Sequence, residues 1–115
     1  MISPQKSLGN LETARDYIYV KDVVEIIKKS IINETTYNIT INVGTGIPTS
    51  GYQLINIFEK ALKHKIEVIS SPEKLRKIDV PFLYACNEKI KKVLKWNPTI
   101  SLEKGIASLI NNQNA

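Results

Sequence analysis

The ten residues Arg15–Val24 constrain the fold of this chain more than any other stretch. Polar and apolar side chains alternate from Arg15 to Val20, and from Asp22 onward apolar residues recur at helical spacing. An extended segment that runs straight into a helix holds its flanking side chains rigidly. Arg15 stands at the mouth of this element, and a planar, permanently charged guanidinium suits a phosphate or carboxylate ligand. The chain carries 16 Lys+Arg, yet only Arg15 and Arg76 are arginines, which singles out these two positions. An ordinary surface ion pair of Arg15 with Asp16 or Glu12 is the competing reading.

The pattern predicts a strand over residues 15–20 and a helix over 22–33. Asp22 and Glu25 have capping-box spacing, with aspartate in place of Ser/Thr. Val23, Val24, Ile26, Ile27, Ile31 and Ile32 fall at helical spacing, and Lys28 and Lys29 point outward. Residues 37–43 alternate cleanly and are rich in β-branched side chains, so they read as a strand that Gly44-Thr45-Gly46 ends. Ser50 and Gln53 form a second capping box, opening a helix through residue 63. A short strand is expected over 66–69, then a connecting stretch bracketed by Ser71, Pro72 and Pro81 that contains Arg76 and Asp79. Asn87 is placed to cap a helix that Trp96-Asn97-Pro98 stops, because proline disfavours helical geometry in the residue before it. Ser101 caps a last helix with Leu102, Ile106, Leu109 and Ile110 inward. Residues 1–14 read as an irregular lead-in, 15–111 as one lobe and 112–115 as a frayed tail. The order strand, helix, strand, helix, strand, helix, helix makes the chain α/β.

Other chemistries are excluded on residue grounds. The net charge of +5 comes from scattered lysines, which favours small anions over nucleic acid, whose binders concentrate charge and stacking aromatics. Cys86 is the sole cysteine, so no internal disulfide or cysteine-cluster zinc site exists, and a buried, inert thiol is expected. No run has signal-peptide or membrane-span length, which points to the cytoplasm and to no membrane partner. Gly44–Gly51 has the context of a dinucleotide fingerprint, but Thr49 stands where glycine is required. Read as a P-loop, Gly46–Gly51 is followed by Tyr52-Gln53 instead of Lys-Ser/Thr. These glycines are therefore expected to end a strand tightly and let the next helix pack close. Tyr17 and Lys21 match a Tyr-x-x-x-Lys spacing, but the alternation between them denies them a shared helical face. His64 stands alone, no carboxylate cluster has metal-ligand spacing, and Trp96 reads as a core anchor. No catalytic residue and no metal site is assigned.

Five segments in order carry a resemblance. They are Leu8-Gly9-Asn10-Leu11-Glu12-Thr13-Ala14-Arg15-Asp16-Tyr17; Val20-Lys21-Asp22-Val23-Val24; Tyr37-Asn38 with Asn42-Val43-Gly44-Thr45-Gly46; Leu75-Arg76-Lys77-Ile78-Asp79-Val80-Pro81; and Leu94-Lys95-Trp96-Asn97-Pro98 with Leu102-Glu103. Over residues 8–110 the chain resembles the C-terminal, substrate-binding part of extended short-chain dehydrogenases, the NAD-dependent epimerase/dehydratase family. The Gly-Asn-Leu lead-in and the Arg-x-x-Asp-Val-Pro segment are most similar to the branch acting on GDP-mannose derivatives, its GDP-4-dehydro-6-deoxymannose reductases ahead of its GDP-mannose 4,6-dehydratases.

The resemblance implies the small C-terminal lobe of an extended Rossmann-type fold, with the dinucleotide-binding half absent. It implies a nucleotide-diphosphate sugar, most similar to a GDP-sugar, as ligand. Arg15 and Arg76 would grip its diphosphate and adjacent ribose, Asp79 would accept from ribose hydroxyls, and Asn10 would approach the base or sugar. NAD(P) is implied for the full-length family, while this chain is expected to bind no cofactor and to be inactive alone. Residues 37–43 would then lack a strand neighbour, so the chain is expected to meet the Rossmann half or to self-associate there. A non-enzymatic module gripping an acidic partner is the alternative.

Overall fold

The computed structural model describes residues 6–74 and 80–113, so Arg76 and Asp79 lie outside the described residues. Five short strands and four helices are formed: β1 (Lys6–Leu8), β2 (Ala14–Arg15), α1 (Val20–Ile31), β3 (Thr49–Ser50), α2 (Gly51–Leu62), β4 (Val68–Ser70), β5 (Phe82–Leu83), α3 (Glu88–Leu94) and α4 (Leu102–Gln113). Within the stretch expected to be irregular, β1 pairs in parallel with β4, Lys6 opposite Val68 and Leu8 opposite Ser70. A second sheet runs in the order β3-β2-β5. Here β2 is antiparallel to β3, with Arg15 opposite Thr49, and parallel to β5, with Arg15 opposite Leu83.

The α/β character expected from the pattern holds, and several helices begin where local chemistry places them. Ser50 and Gln53 form the reciprocal capping box at the start of α2: Gln53 N donates to Ser50 Oγ at 3.2 Å and Ser50 N donates to Gln53 Oε1 at 2.8 Å. Two orphan donors of the first turn are thereby satisfied. Ser101 opens α4, accepting from Lys104 N at 3.3 Å. The expected stop of α3 comes slightly early, at Leu94, where Lys95 takes a left-handed conformation with φ 51°.

Other local expectations give way to tertiary contacts. Helix α1 starts at Val20, so Asp22 sits inside the first turn and is not its cap. Its carboxylate is 2 % exposed and accepts from the Thr99 hydroxyl and from Thr99 N and Ile100 N, each amide at 3.2 Å. Asn87 precedes α3 but makes no side-chain cap; its amide reaches across to Thr45 O at 2.9 Å. The expected strand over 15–20 shrinks to β2, because beyond Arg15 the side chain of Asp16 takes over the bonding to neighbouring segments. Residues 37–43 form no strand among the described residues. A strand exists only through a hydrogen-bonded neighbour, and there Lys89 Nζ donates to Thr40 O at 2.7 Å in place of a ladder. Cys86 is exposed, not buried, because Ala85 and Asn87 on either side turn inward toward the 44–46 loop.

The core is small and sits between α1, α3 and the segment after it. Ile26, Ile90, Leu94 and Trp96 form its buried cluster, with Ile18, Ile41 and Val93 packed around it. Trp96 is 3 % exposed and serves as the expected anchor. Apart from this cluster, α2 packs against α4. The other face of α1 stays bare: Val20, Val24, Ile27 and Ile31, at helical spacing, are 62 %, 47 %, 53 % and 67 % exposed.

The shape explains this. The molecule measures 51 × 40 × 17 Å, and its radius of gyration of 17.0 Å exceeds the roughly 13 Å of a compact chain of this length. Packed helices lie about 8–10 Å apart, so a Cα thickness of 17 Å holds about two layers, and a helix face turned outward has no third layer to cover it. Its accessible surface of 8726 Å² is correspondingly about a third above the scaling expected for 13.0 kDa. Because the buried cluster is so limited, Ile90→Ala should cost about 2–5 kcal/mol, measured as a lower urea midpoint, and should abolish the cooperative transition if the parent is only marginally stable.

Candidate functional site

Arg15 is the last residue of β2, with β3 on one side and β5 on the other. Its Nη1 donates to Val80 O at 2.7 Å and to Ala14 O at 2.8 Å. The guanidinium is therefore held at the start of the segment leading into β5, and Ala14 N adds a bond to Pro81 O at 2.8 Å. Asn10 is exposed, and its Oδ1 accepts from Glu12 N at 2.9 Å, which fixes the turn before β2. Of the four residues singled out from the sequence, Arg15 and Asn10 thus lie at opposite ends of one described segment, residues 10–15.

The neighbour of Arg15 has the denser bonding. Asp16 accepts from Thr45 N at 3.0 Å, the Thr45 hydroxyl, Gly46 N at 2.9 Å and Ala85 N at 3.1 Å. One carboxylate thereby ties β2, the 44–46 loop and the segment after β5 together. Partial burial pushes its pKa up, but the Thr45 hydroxyl and the amides of Thr45, Gly46 and Ala85 outweigh burial and hold it below its ordinary value. Gly44 completes the knot: a Cβ there would lie 2.4 Å from Ala85 Cβ and 2.6 Å from Asp16 Oδ2, so no side chain fits. Sequence reasoning considered Asp16 only as an ion-pair partner for Arg15. The available signal was a Gly-Thr-Gly loop lacking the lysine a phosphate would need, whose amides therefore await some other anion.

A cleft of about 650 Å³ opens between the 45–49 loop, α2 and residues 98–103. Its wall includes Tyr17, Thr45, Gln53, Lys60 and Glu103 but neither Arg15 nor Asn10. One cation, Lys60, and one anion, Glu103, on an otherwise mixed wall give it no convergent charge. Among the described residues no group of three or more His, Cys, Asp or Glu could hold a metal ion, and no helix is long and apolar enough to cross a membrane.

The family model described as GDP-mannose 4,6 dehydratase matches residues 3–109. The chain belongs to this family. As a member of the epimerase/dehydratase group it is 34% identical over 87 residues to a GDP-6-deoxy-D-talose 4-dehydrogenase of Aggregatibacter actinomycetemcomitans, covering 76% of this chain and 29% of that protein. It is 35% identical over 111 residues to a UDP-glucuronate 4-epimerase of Thermodesulfobacterium geofontis, covering 94% and 32%. Among solved structures it is similar to a UDP-glucose 4-epimerase from Bifidobacterium longum in complex with NAD+ and UDP, with a TM-score of 0.79 and 26% identity over 94% of this chain and 34% of that one. The chain thus spans about a third of the length of the relatives it matches.

The epimerase/dehydratase fold therefore stands, and the glycine loop can be tested against a dinucleotide. The amides of Thr45 and Gly46, which would have to face a pyrophosphate, already donate to Asp16. This loop does not fit a cofactor phosphate. Because the pKa of Asp16 is lower in the folded chain than the value of about 3.9 usual for an unfolded one, its stabilisation is present above that value and disappears as pH falls through the folded value. Acid unfolding curves should show a steeper loss of stability below pH 4 in the parent than in Asp16→Asn, which carries no titrating carboxyl at that position.

Proposed function

We propose that this chain is the nucleotide-sugar-gripping lobe of an NAD(P)-dependent GDP-sugar reductase, dehydratase or epimerase, inactive by itself. The observation that carries this reading is the placement of Arg15. Its guanidinium is fixed by the Val80 carbonyl, and Val80 directly follows the 75–79 segment that contains Arg76 and Asp79. In sequence Arg76 stands four residues before Val80, whose carbonyl holds the other arginine of the chain. Two forks of this kind can engage a diphosphate bidentately, and Asp79 supplies an acceptor for ribose hydroxyls. Asn10, at the turn before β2, is assigned to the base or sugar side.

In this assignment the lobe binds and orients. Arg15 and Arg76 neutralise the diphosphate and hold the sugar at a fixed distance from the lobe, while the reacting centre and the nicotinamide belong to the rest of a full-length family member. A nicotinamide, when bound by the rest of a full-length family member, would accept hydride from or donate it to the sugar according to its redox state. GDP over UDP or dTDP is read from the likeness of the lead-in and of the Arg-x-x-Asp-Val-Pro segment to the GDP-mannose branch.

The bare face of α1 supports the same assignment. Val20, Val24, Ile27 and Ile31, together with Ile39 and Val43 of the unpaired 37–43 segment, make a wide exposed apolar surface. A groove of about 400 Å³ runs between the two. Surfaces of this extent are rare on free-standing domains. Its occupant in a full-length protein is the sheet of the dinucleotide-binding half, and in isolation it is a second copy of this chain.

Titration of GDP, UDP and dTDP against the parent chain should show saturable binding, tightest for GDP. Arg15→Ala and Arg76→Ala should each weaken it by about 10- to 150-fold, the equivalent of about 1.5–3 kcal/mol for a charge-assisted contact. Indifference to all three nucleotides would instead favour a module for an acidic protein partner. Light scattering across a concentration series should show self-association that Val24→Asp with Ile27→Glu abolishes; a monodisperse parent with sharp unfolding would refute the apolar docking face.

A further inference from the structure

Side chains alternate across an extended backbone. Ala14 is buried at 3 % exposure, and Asp16 faces the same side, into the 44–46 loop and the segment after β5. Arg15 lies between them and projects the opposite way, toward Val80 O. The pairing of β2 with β5 has only two rungs, Ala14 with Phe82 and Arg15 with Leu83. So short a ladder defines register weakly. The carboxylate of Asp16 extends it: Ala85 N, two residues beyond the last rung, donates to Oδ2 at 3.1 Å. The same oxygen accepts from Gly46 N, and Gly44 is kept bare of a side chain where Asp16 and Ala85 meet. The far end of this strand pairing is thus locked by a charged acceptor, and hydrogen bonds to an ionised acceptor are stronger than neutral ones.

We infer that Asp16 is a positioning residue for Arg15: by clamping Ala85 and the Thr45-Gly46 loop behind β2, it fixes where the Val80 carbonyl holds the guanidinium in front. This rests on the reading of Arg15 as the diphosphate contact, and it adds a residue that touches no ligand. If the clamp opens, the β5 segment slides relative to β2 and the carbonyl that aims Arg15 moves with it. The ligand contact is then lost although Arg15 itself is intact.

The test pairs NMR spectra of the 115-residue chain with calorimetric titration of GDP, using Asp16→Asn and, as a control, Glu25→Gln, which alters only the exposed Glu25–Lys28 pair. At a temperature where circular dichroism shows both variants folded, Asp16→Asn should shift the Ala85, Thr45 and Gly46 amides. It should also change the Arg15 guanidinium signals and raise the Kd for GDP about tenfold, while Glu25→Gln leaves all of these unchanged. A merely structural Asp16 would lower the melting temperature yet leave the Arg15 signals and the Kd of the folded fraction as they were, and that result would overturn the inference. Should Asp16→Asn fail to fold, Thr45→Val, which removes one of the four donors, should move the same signals less and raise the Kd about threefold; unchanged Arg15 signals in that variant also overturn it. If the parent binds no nucleotide, the diphosphate reading fails, and the Arg15 signals alone decide whether Asp16 positions that side chain.

Discussion

A single carboxylate, that of Asp16, joins three parts of the chain that are far apart in sequence. Its partners Thr45, Gly46 and Ala85 stand 29, 30 and 69 residues away. Strands of two residues contribute little by themselves, and a 17 Å slab offers little buried apolar surface to compensate. Side-chain acceptors therefore carry much of what backbone ladders carry in a thicker protein. Asp22 repeats the device six residues further on, clipping Thr99 and Ile100 to the first turn of α1. There its negative charge also sits favourably at the positive end of the helix. Between these two anchors runs the segment from Tyr17 to Lys21, held at both ends without being a strand.

The division of labour around Arg15 follows from that arrangement. Two backbone carbonyls, those of Ala14 and Val80, orient the guanidinium at the end of β2. The acid that stands next to it in sequence faces the other way and is saturated with donors. Adjacent residues of opposite charge are thus separated by the pleat, one directed to the interior and one to the edge of the sheet.

What the sequence reveals depends on how local each interaction is. The capping box of Ser50 and Gln53 spans three residues and is legible, as is the Ser101 cap. Asp22 satisfies the same local pattern with Glu25, yet its partners arrive from 77 and 78 residues away, and a buried three-donor site outcompetes a cap. The alternation over 37–43 is equally plain in the sequence, but a pattern specifies only readiness to pair, and pairing needs a second strand. Cys86 reads as a core thiol because cysteine usually is one; its exposure is set by Ala85 and Asn87, which both turn inward to the 44–46 loop. Arg15 draws notice for a different reason, the scarcity of arginine in a lysine-rich chain. The bonding of Asp16 was not legible, since nothing local marks a carboxylate whose donors come from two remote loops.

The thinness of the slab has a thermodynamic consequence. The heat-capacity increment of unfolding scales with the apolar surface newly exposed to water, and here much of that surface is wet from the start. The stability curve of the isolated lobe is then shallow, with a broad melt and weak dependence on denaturant. The outer stripe of α1, with Val20, Val24, Ile27 and Ile31 already in water, adds little to that increment when the lobe unfolds.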